Sequence, residues 1–391
     1  LRASLAASIP EMVRQHLVCA VGAVARKDFP RQWPTLLDDV CGFLNQLDAS
    51  HRDEAARLMA LLRELMKSLC SRFLPSQKRV MYQIGPKIFS FVVGIWSSCT
   101  SELIRLSSQL MENHSDESLA QAVVKLGHIV LDAQKCLHYL ALYAFPSELM
   151  PGGLAQANAD DLEQLSAFLG NTPQMLSTLS EHLVRLRTCE ALQEAPDREE
   201  LFDKHCRSIV KTMVAMQHRS PSVVLPHLPA LTALTSSLLM DHVPRNELTE
   251  EQGTAPPSAA VHRLCLRQLL LTFDRRSFDP NLYALRGDLR EGYYGAGKNL
   301  LGCKLPSGGM YVTRFLETLV GKYVALSHND LTNLTLSEED FYMSHAQERE
   351  YEEQSVRGCA LRVVQVLAAE YPDVTGPVLL SLLQQTCAGA A

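Results

Sequence analysis

Apolar residues recur along this chain every three or four positions, the spacing that lines one face of an α-helix. Val13, Leu17, Val21 and Val24 form a first stripe. After a break at Asp28-Phe29-Pro30, Leu36, Leu37, Val40, Phe43, Leu44 and Leu47 form a second. A longer stripe joins Ala55, Leu58, Met59, Leu62, Leu65, Met66, Leu69 and Phe73, with Arg57, Glu64 and Lys67 off it. The pattern returns at Val123, Leu126, Val130, Leu137 and Ala141, then from Leu162, Leu165 and Phe168 through Leu176, Leu179, Leu183 and Leu186. Val363, Val366 and Leu367 carry it to the last segment. Period-two alternation is nearly absent. The predicted fold class is all-α.

Proline and glycine punctuate the stripes at Pro30, Pro34, Pro75, Pro146, Pro151, Pro173, Pro221 to Pro229, Pro256, Pro257, Pro306, Pro372 and Pro377. Proline lacks a backbone donor and clashes one turn back, so each is read as a helix end or first turn. Helices of about 12–25 residues then arrive in pairs with a period near ~40, the HEAT or armadillo range. The expected architecture is an α-solenoid: one continuous array of antiparallel helix pairs over residues 1–391. Two stretches read as insertions, 241–260 and 286–309, the second as a glycine-rich flexible loop.

Composition narrows the function classes. With 43 acids against 37 bases the net charge is −6, which argues against a large basic footprint for nucleic acid. The apolar stretches Leu17–Ala25 and Phe91–Trp96 fall short of the ~20 residues that span a bilayer. No Arg/Lys-led apolar leader opens the chain. A soluble intracellular protein without membrane insertion is expected. The eleven cysteines are scattered singly without C-x-x-C spacing, and are read as buried reduced thiols.

Candidate chemistry is sparse. Gly292-Tyr293-Tyr294-Gly295-Ala296-Gly297-Lys298-Asn299 matches the G-x-x-x-x-G-K core of a phosphate-binding loop. Asn299, however, stands where a Ser or Thr would hold magnesium, and the preceding segment is polar rather than a buried strand. The stretch is read as a surface loop. The histidines show no metal-ligand spacing, and His205-Cys206 is read as a packed or surface pair on a helix. No catalytic residue, metal site or cofactor is expected, and the chain is read as no enzyme. Glu338, Glu339, Asp340, Glu348, Glu350, Glu352 and Glu353 are seven acids set against the one base Arg349. They are either a solvated face or an acidic patch that attracts basic cargo.

The run Ala25-Arg26-Lys27-Asp28-Phe29-Pro30-Arg31-Gln32-Trp33-Pro34-Thr35-Leu36-Leu37 brings a family into view. Pro30 stops one helix, Pro34 presets the first turn of the next, and Trp33 is expected to wedge between them as a buried structural residue. This run resembles the importin-β (karyopherin) family of nuclear transport receptors. Leu1-Arg2-Ala3, Phe89-Ser90-Phe91, Trp96, Thr335-Leu336-Ser337-Glu338-Glu339-Asp340 and Val374-Thr375-Gly376-Pro377-Val378-Leu379-Leu380 are most like its importin eleven subgroup. After Phe341 the chain departs from the subgroup's acidic, Trp-containing pattern.

The resemblance implies a HEAT array that binds protein cargo, binds Ran-GTP mainly through first repeats that would precede Leu1, and contacts Phe-Gly nucleoporins. It implies shuttling between nucleus and cytoplasm through the pore, and a fragment lacking N-terminal and C-terminal repeats. Direct nucleic-acid binding is not expected. The alternative is a HEAT scaffold subunit of a multiprotein complex, independent of Ran.

Overall fold

A computed structural model of the chain describes residues 9–46, 51–70, 75–113, 115–148, 159–186, 198–241, 259–274, 287–304, 310–325, 335 and 355–389. Among the described residues there is no strand, only an isolated antiparallel bridge between Lys304 and Met310. The helices gather into two compact units, Leu1–Arg219 and Ser220–Ala391.

In the first unit the helices are α1 (Glu11–Asp28), α2 (Leu36–Asn45), α3 (Arg52–Cys70), α4 (Pro75–Glu112), α5 (Glu117–Tyr143), α6 (Ala159–Leu186) and α7 (Arg198–Arg219). At the centre lies α5, packed against α3, α4 and α7. Asp116 caps its N-terminus by accepting the Leu119 N–H at 3.0 Å, satisfying one of the amides a helix start leaves unpaired. All five residues of its expected stripe are buried, and Ala133, Cys136 and Leu140 extend the burial around the helix. On α3 the expected Leu58, Met59, Leu62, Leu65, Met66 and Leu69 are likewise buried.

An edge-to-face aromatic cluster fills the space between α4, α5 and α6. The Phe89 ring centroid lies 5.2 Å from that of Phe145 and 5.4 Å from that of Phe168. Trp96 meets Phe168 at 5.5 Å. Such pairs add about 0.5–1.5 kcal/mol beyond the area they bury.

On α1 the expected stripe is wrong in phase. Val13 and Val24 are exposed, and the buried face is Val18, Gly22 and Ala25, continued by Phe29. Small residues let α1 approach α3 closely: a Cβ on Gly22 would stand 2.8 Å from Ser68 Oγ. Hydropathy ranks valine above glycine, so a face chosen for close approach escapes a hydrophobic count.

In the second unit, α8 (Pro221–Val224) runs through a 3₁₀ turn, Leu225–His227, into α9 (Leu228–Asp241). There follow α10 (Ala259–Phe273), α11 (Gly287–Leu301), α12 (Tyr311–Thr318), a π-helical turn (Leu319–Val324), α13 (Val356–Glu370) and α14 (Pro372–Gly389). By length and composition the run Pro221–Met240 could cross a membrane, but more than half of its most apolar stretch is buried inside the protein. Its Leu228, Leu231 and Leu239 belong to the core.

Tyrosines tether this core. Tyr293 donates to the Pro221 carbonyl at 3.2 Å and Tyr323 to the Leu239 carbonyl at 2.9 Å, while Tyr311 donates to Ser236 Oγ. Thr235 donates to Gln268 Oε1 at 2.8 Å, and Gln268 Nε2 donates to Thr272 Oγ1 at 3.2 Å. This buried chain ties α9 to α10.

Prolines 75, 221 and 372 open helices, as expected. Pro173 and Pro377 do not end theirs but lie inside α6 and α14, as does Pro86 inside α4. Packing holds the helix across the lost bond, and Pro173 is itself buried.

Candidate partner-binding elements

The Asp28–Pro34 turn is built by its prolines. Phe29 has φ −77° and ψ 137°, the extended geometry that a following proline imposes, and its N–H closes the helix on the Ala25 carbonyl at 3.0 Å. The Phe29–Pro30 peptide is cis. Gln32 N–H bonds the Asp28 carbonyl at 2.8 Å, folding the chain back. Thr35 then flanks α2 with its hydroxyl on Asp39 Oδ2 at 3.0 Å.

Burial reverses the expected roles within this turn. Phe29 is 5% exposed and acts as the wedge, whereas Trp33 is only half-buried and Pro34 is exposed. Asp28 and Pro30 are intermediate. The order of residues explains it: Phe29 continues the buried Val18–Gly22–Ala25 face of α1, while Trp33 lies beyond the fold-back.

The phosphate-loop lookalike is not a loop. Gly287–Leu301 is helical, and Tyr293, Leu300 and Leu301 are buried. Its amides are engaged within the helix, so they cannot form the cradle of free N–H groups that a nucleotide phosphate needs. The glycines instead admit neighbours. A Cβ on Gly292 would stand 2.6 Å from Leu225 Cδ2, and one on Gly297 2.6 Å from Tyr371 Oη and 3.2 Å from Phe273 Cδ1. Tyr371 stacks on Tyr294 with centroids 5.0 Å apart. The G-x-x-x-x-G spacing is a packing pattern that brings α11 against the 3₁₀ turn and against Tyr371.

The acidic residues Glu338, Glu339, Asp340, Glu348, Glu350, Glu352 and Glu353 lie outside the described residues, as does 242–258, most of the first expected insertion.

Cys70, Cys136, Cys206, Cys265 and Cys359 are buried as expected, but Cys19 and Cys303 are exposed and Cys41 and Cys99 half-buried, while His138 and His205 lie in the core. His205 Nδ1 pairs with Gln134 Oε1 at 2.9 Å, and burial, helped by the charge of His128, holds its pKa down at about 3. Burial and then Lys211 lower that of His138 to about 4. Burial pushes the Cys41 thiol up to about 11 and Cys70 to about 12, so neither is a nucleophile near neutral pH. Among the described residues no three His, Cys, Asp or Glu side chains are grouped to hold a metal.

Several large apolar residues lie on the surface, Val13 and Val24 of the expected α1 stripe among them. Met12, Val13 and Val24 are exposed on α1, and Leu380 and Leu383 are each 62% exposed on α14. The signal was present on α1, where apolar residues cover more of the circumference than one stripe accounts for.

Four known proteins are similar to this chain. The importin beta-like protein kap113 of Schizosaccharomyces pombe is 30% identical over 82 residues, 21% of this chain and 8% of that protein. Importin-11 of mouse and of human is 25% identical over 129 residues, 32% of this chain and 13% of each. These matches support an importin-β family member. The solved structure of Lph2, a bidirectional nuclear transport receptor of S. cerevisiae, covers 94% of this chain and 32% of its own at a TM-score of 0.58 and 17% identity. That likeness concerns the fold: an all-α, HEAT-type solenoid, the class expected from the periodicity. No family model matches. The chain thus spans a small part of its importin-β family relatives.

Proposed function

We propose that this chain is part of a nuclear transport receptor of the importin type. It would bind protein cargo and Ran-GTP as a portion of a longer HEAT array continuous over 1–391, and pass the pore by contacting Phe-Gly nucleoporins. The observation that carries the reading is the sequence match to importin beta-like kap113 and to importin-11. The Asp28–Pro34 turn adds local support. Transport by mass action requires only differential affinity: cargo binds where Ran-GTP is low and leaves where it is high. A coupling of about 1–3 kcal/mol between the two ligands suffices to bias exchange. No bond is made or broken by the receptor.

Within this reading the acidic run 338–353 meets basic cargo, through encounter rate more than through a fixed contact. Nucleus, cytoplasm and pore are the corresponding locations.

Pore passage tests the reading. The longer protein containing this chain, fluorescently labelled and added to permeabilised cells, is expected to mark the nuclear rim and to enter nuclei faster than an inert protein of equal mass. Exclusion at the inert rate, with no rim signal, overturns it in favour of a scaffold.

A further inference from the structure

Between Glu64 and Glu102 the sequence carries Lys67, Arg72, Lys78, Arg79 and Lys87 but no acid, in a chain whose acids outnumber its bases 43 to 37. The stretch takes in all of α4 up to Ser101. Along that helix Arg79, Gln83, Lys87, Ser90, Gly94 and Ser98 recur every three or four residues and are exposed, so they form one solvent-facing stripe. Lys78 is half-buried beside it.

The cations at the start of this stripe have no counter-charge. Where α4 does carry an acid the cation beside it pairs, as Arg105 does with Glu102 at 2.7 Å. Lys78, Arg79 and Lys87 make no ion pair or hydrogen bond with any described residue. Helix α6, packed against α4, opens on Asp160 and Asp161. The Asp161 carboxyl is pushed up by its burial and then by Asp160, with no cation of α4 drawing it down. The helix dipole adds to the imbalance: the first turn of α4 holds no acid, and its partial positive charge lies at the end where Lys78 and Arg79 stand.

Arg219, the last residue of α7, brings a fourth cation to this place. Its guanidinium hydrogen-bonds Tyr82, reaches the Phe145 carbonyl at 3.4 Å and lies 5.7 Å from the centre of the Tyr143 ring. Burial lowers its pKa, and the groups that oppose this are the two tyrosines, with no carboxylate among them. A guanidinium has five N–H donors, so these contacts leave some unspent. Tyr82 stands one turn after Lys78 and Arg79, which sets all three cations around one tyrosine.

We propose that the exposed face of α4 around Tyr82, with Lys78, Arg79, Lys87 and Arg219, binds an acidic segment of a partner protein. Carboxylates match both arginines and lysines through charge-assisted hydrogen bonds. From Lys78 to Lys87 the face runs about 14 Å along the helix, the reach of a few extended residues. A long nucleic-acid polyanion would run past this patch onto a protein of net charge −6, whereas a short acidic segment stays within it. The partner has the opposite charge to a basic cargo, and the inference stands apart from Ran and the pore.

Fluorescein-labelled decaglutamate, titrated into the chain and followed by anisotropy, tests it. The peptide is expected to bind at low ionic strength and more weakly at physiological ionic strength, while a neutral Gly-Ser peptide of equal length does not bind. Lys78→Glu combined with Arg79→Glu should weaken binding at least about tenfold, and Lys87→Glu alone about threefold. Acids near the start of α4 suit its dipole, so the double variant should keep its unfolding midpoint by tryptophan fluorescence. Arg267→Glu, at an exposed cation of α10, should leave binding unchanged. No binding of decaglutamate at low ionic strength overturns the proposal. So does an Arg267→Glu loss equal to that of the α4 variants, which would mean attraction to net charge alone. Tighter binding of an oligothymidine of equal length overturns it in favour of a nucleic-acid site.

Discussion

The two units bury aromatic residues to different ends. Among the described residues of 1–219 the buried rings include Phe89, Trp96, Phe145 and Phe168, which interlock edge to face. In residues 220–391 the buried rings include Tyr293, Tyr311 and Tyr323, each with its hydroxyl bonded to a residue of α8 or α9. Phenylalanine contributes area and shape, so the first core is held by packing that any good fit could replace. Phe273 and Phe315 supply area in the second core too, but there each of the three tyrosines adds one directed bond that fixes which helix lies beside which. Two routes to helix stacking coexist in one chain.

The largest expected effect lies in the first unit. Phe89 is fully buried at the centre of the aromatic cluster, and Phe89→Ala should destabilise that unit by about 3–5 kcal/mol. Both tryptophans belong to 1–219, so thermal unfolding followed by tryptophan fluorescence reads this unit selectively. A shift in far-ultraviolet dichroism without one in fluorescence would break the separation of the cores.

Acid sharpens the comparison next. His138 and His205 are held neutral with pKa values near 4 and 3, below their ordinary 6.5. The unfolded chain therefore binds more protons than the folded one at pH 4 to 6.5, and stability falls as pH drops through that window. Each histidine contributes a slope of up to about 1.4 kcal/mol per pH unit. Denaturant midpoints read by tryptophan fluorescence from pH 7 to 4.5 should decline, and His205→Gln should flatten the decline. A flat profile in the unaltered chain contradicts the burial described here.

Glycines on α11 give the third test. Gly297→Ala drives a methyl against Tyr371 and Phe273 and should destabilise by about 1–3 kcal/mol. Gly295 has open space around it, so Gly295→Ala should be neutral or stabilise by up to about 1 kcal/mol. Equal effects at the two positions would indicate a loop rather than a packed helix. The smallest effect is Tyr323→Phe, which deletes one directed bond to the Leu239 carbonyl and should cost about 1 kcal/mol by denaturant titration.

Legibility followed the kind of contact. Stripes on α3 and α5 were readable because leucine, valine and methionine bury through sheer area, and area has a helical period. The buried face of α1 was misread because it is made of Val18, Gly22 and Ala25, chosen for closeness to Ser68 and not for hydropathy. The same holds for Gly287–Leu301: its glycines and tyrosines look like a loop until Leu225 and Tyr371 stand beside it. Trp33 looked like the wedge of its turn because it is the larger ring, but the reach of α1 puts Phe29 there. At Pro173 and Pro377 the local rule yielded to tertiary packing. The resemblance to importin-type receptors rested on the Asp28–Pro34 run, whose residues stand together in the sequence, whereas the Phe89, Phe145 and Phe168 cluster exists only once the helices are assembled.

Under the proposed function, the chain would be part of a receptor whose cargo and Ran-GTP compete. Binding of a basic cargo to the longer protein, titrated with Ran locked in its GTP form and separately with Ran-GDP, tests it most directly. The account predicts that Ran-GTP weakens cargo binding at least about tenfold, near 1.4 kcal/mol, while Ran-GDP leaves it unchanged. Cargo affinity indifferent to both forms would contradict it.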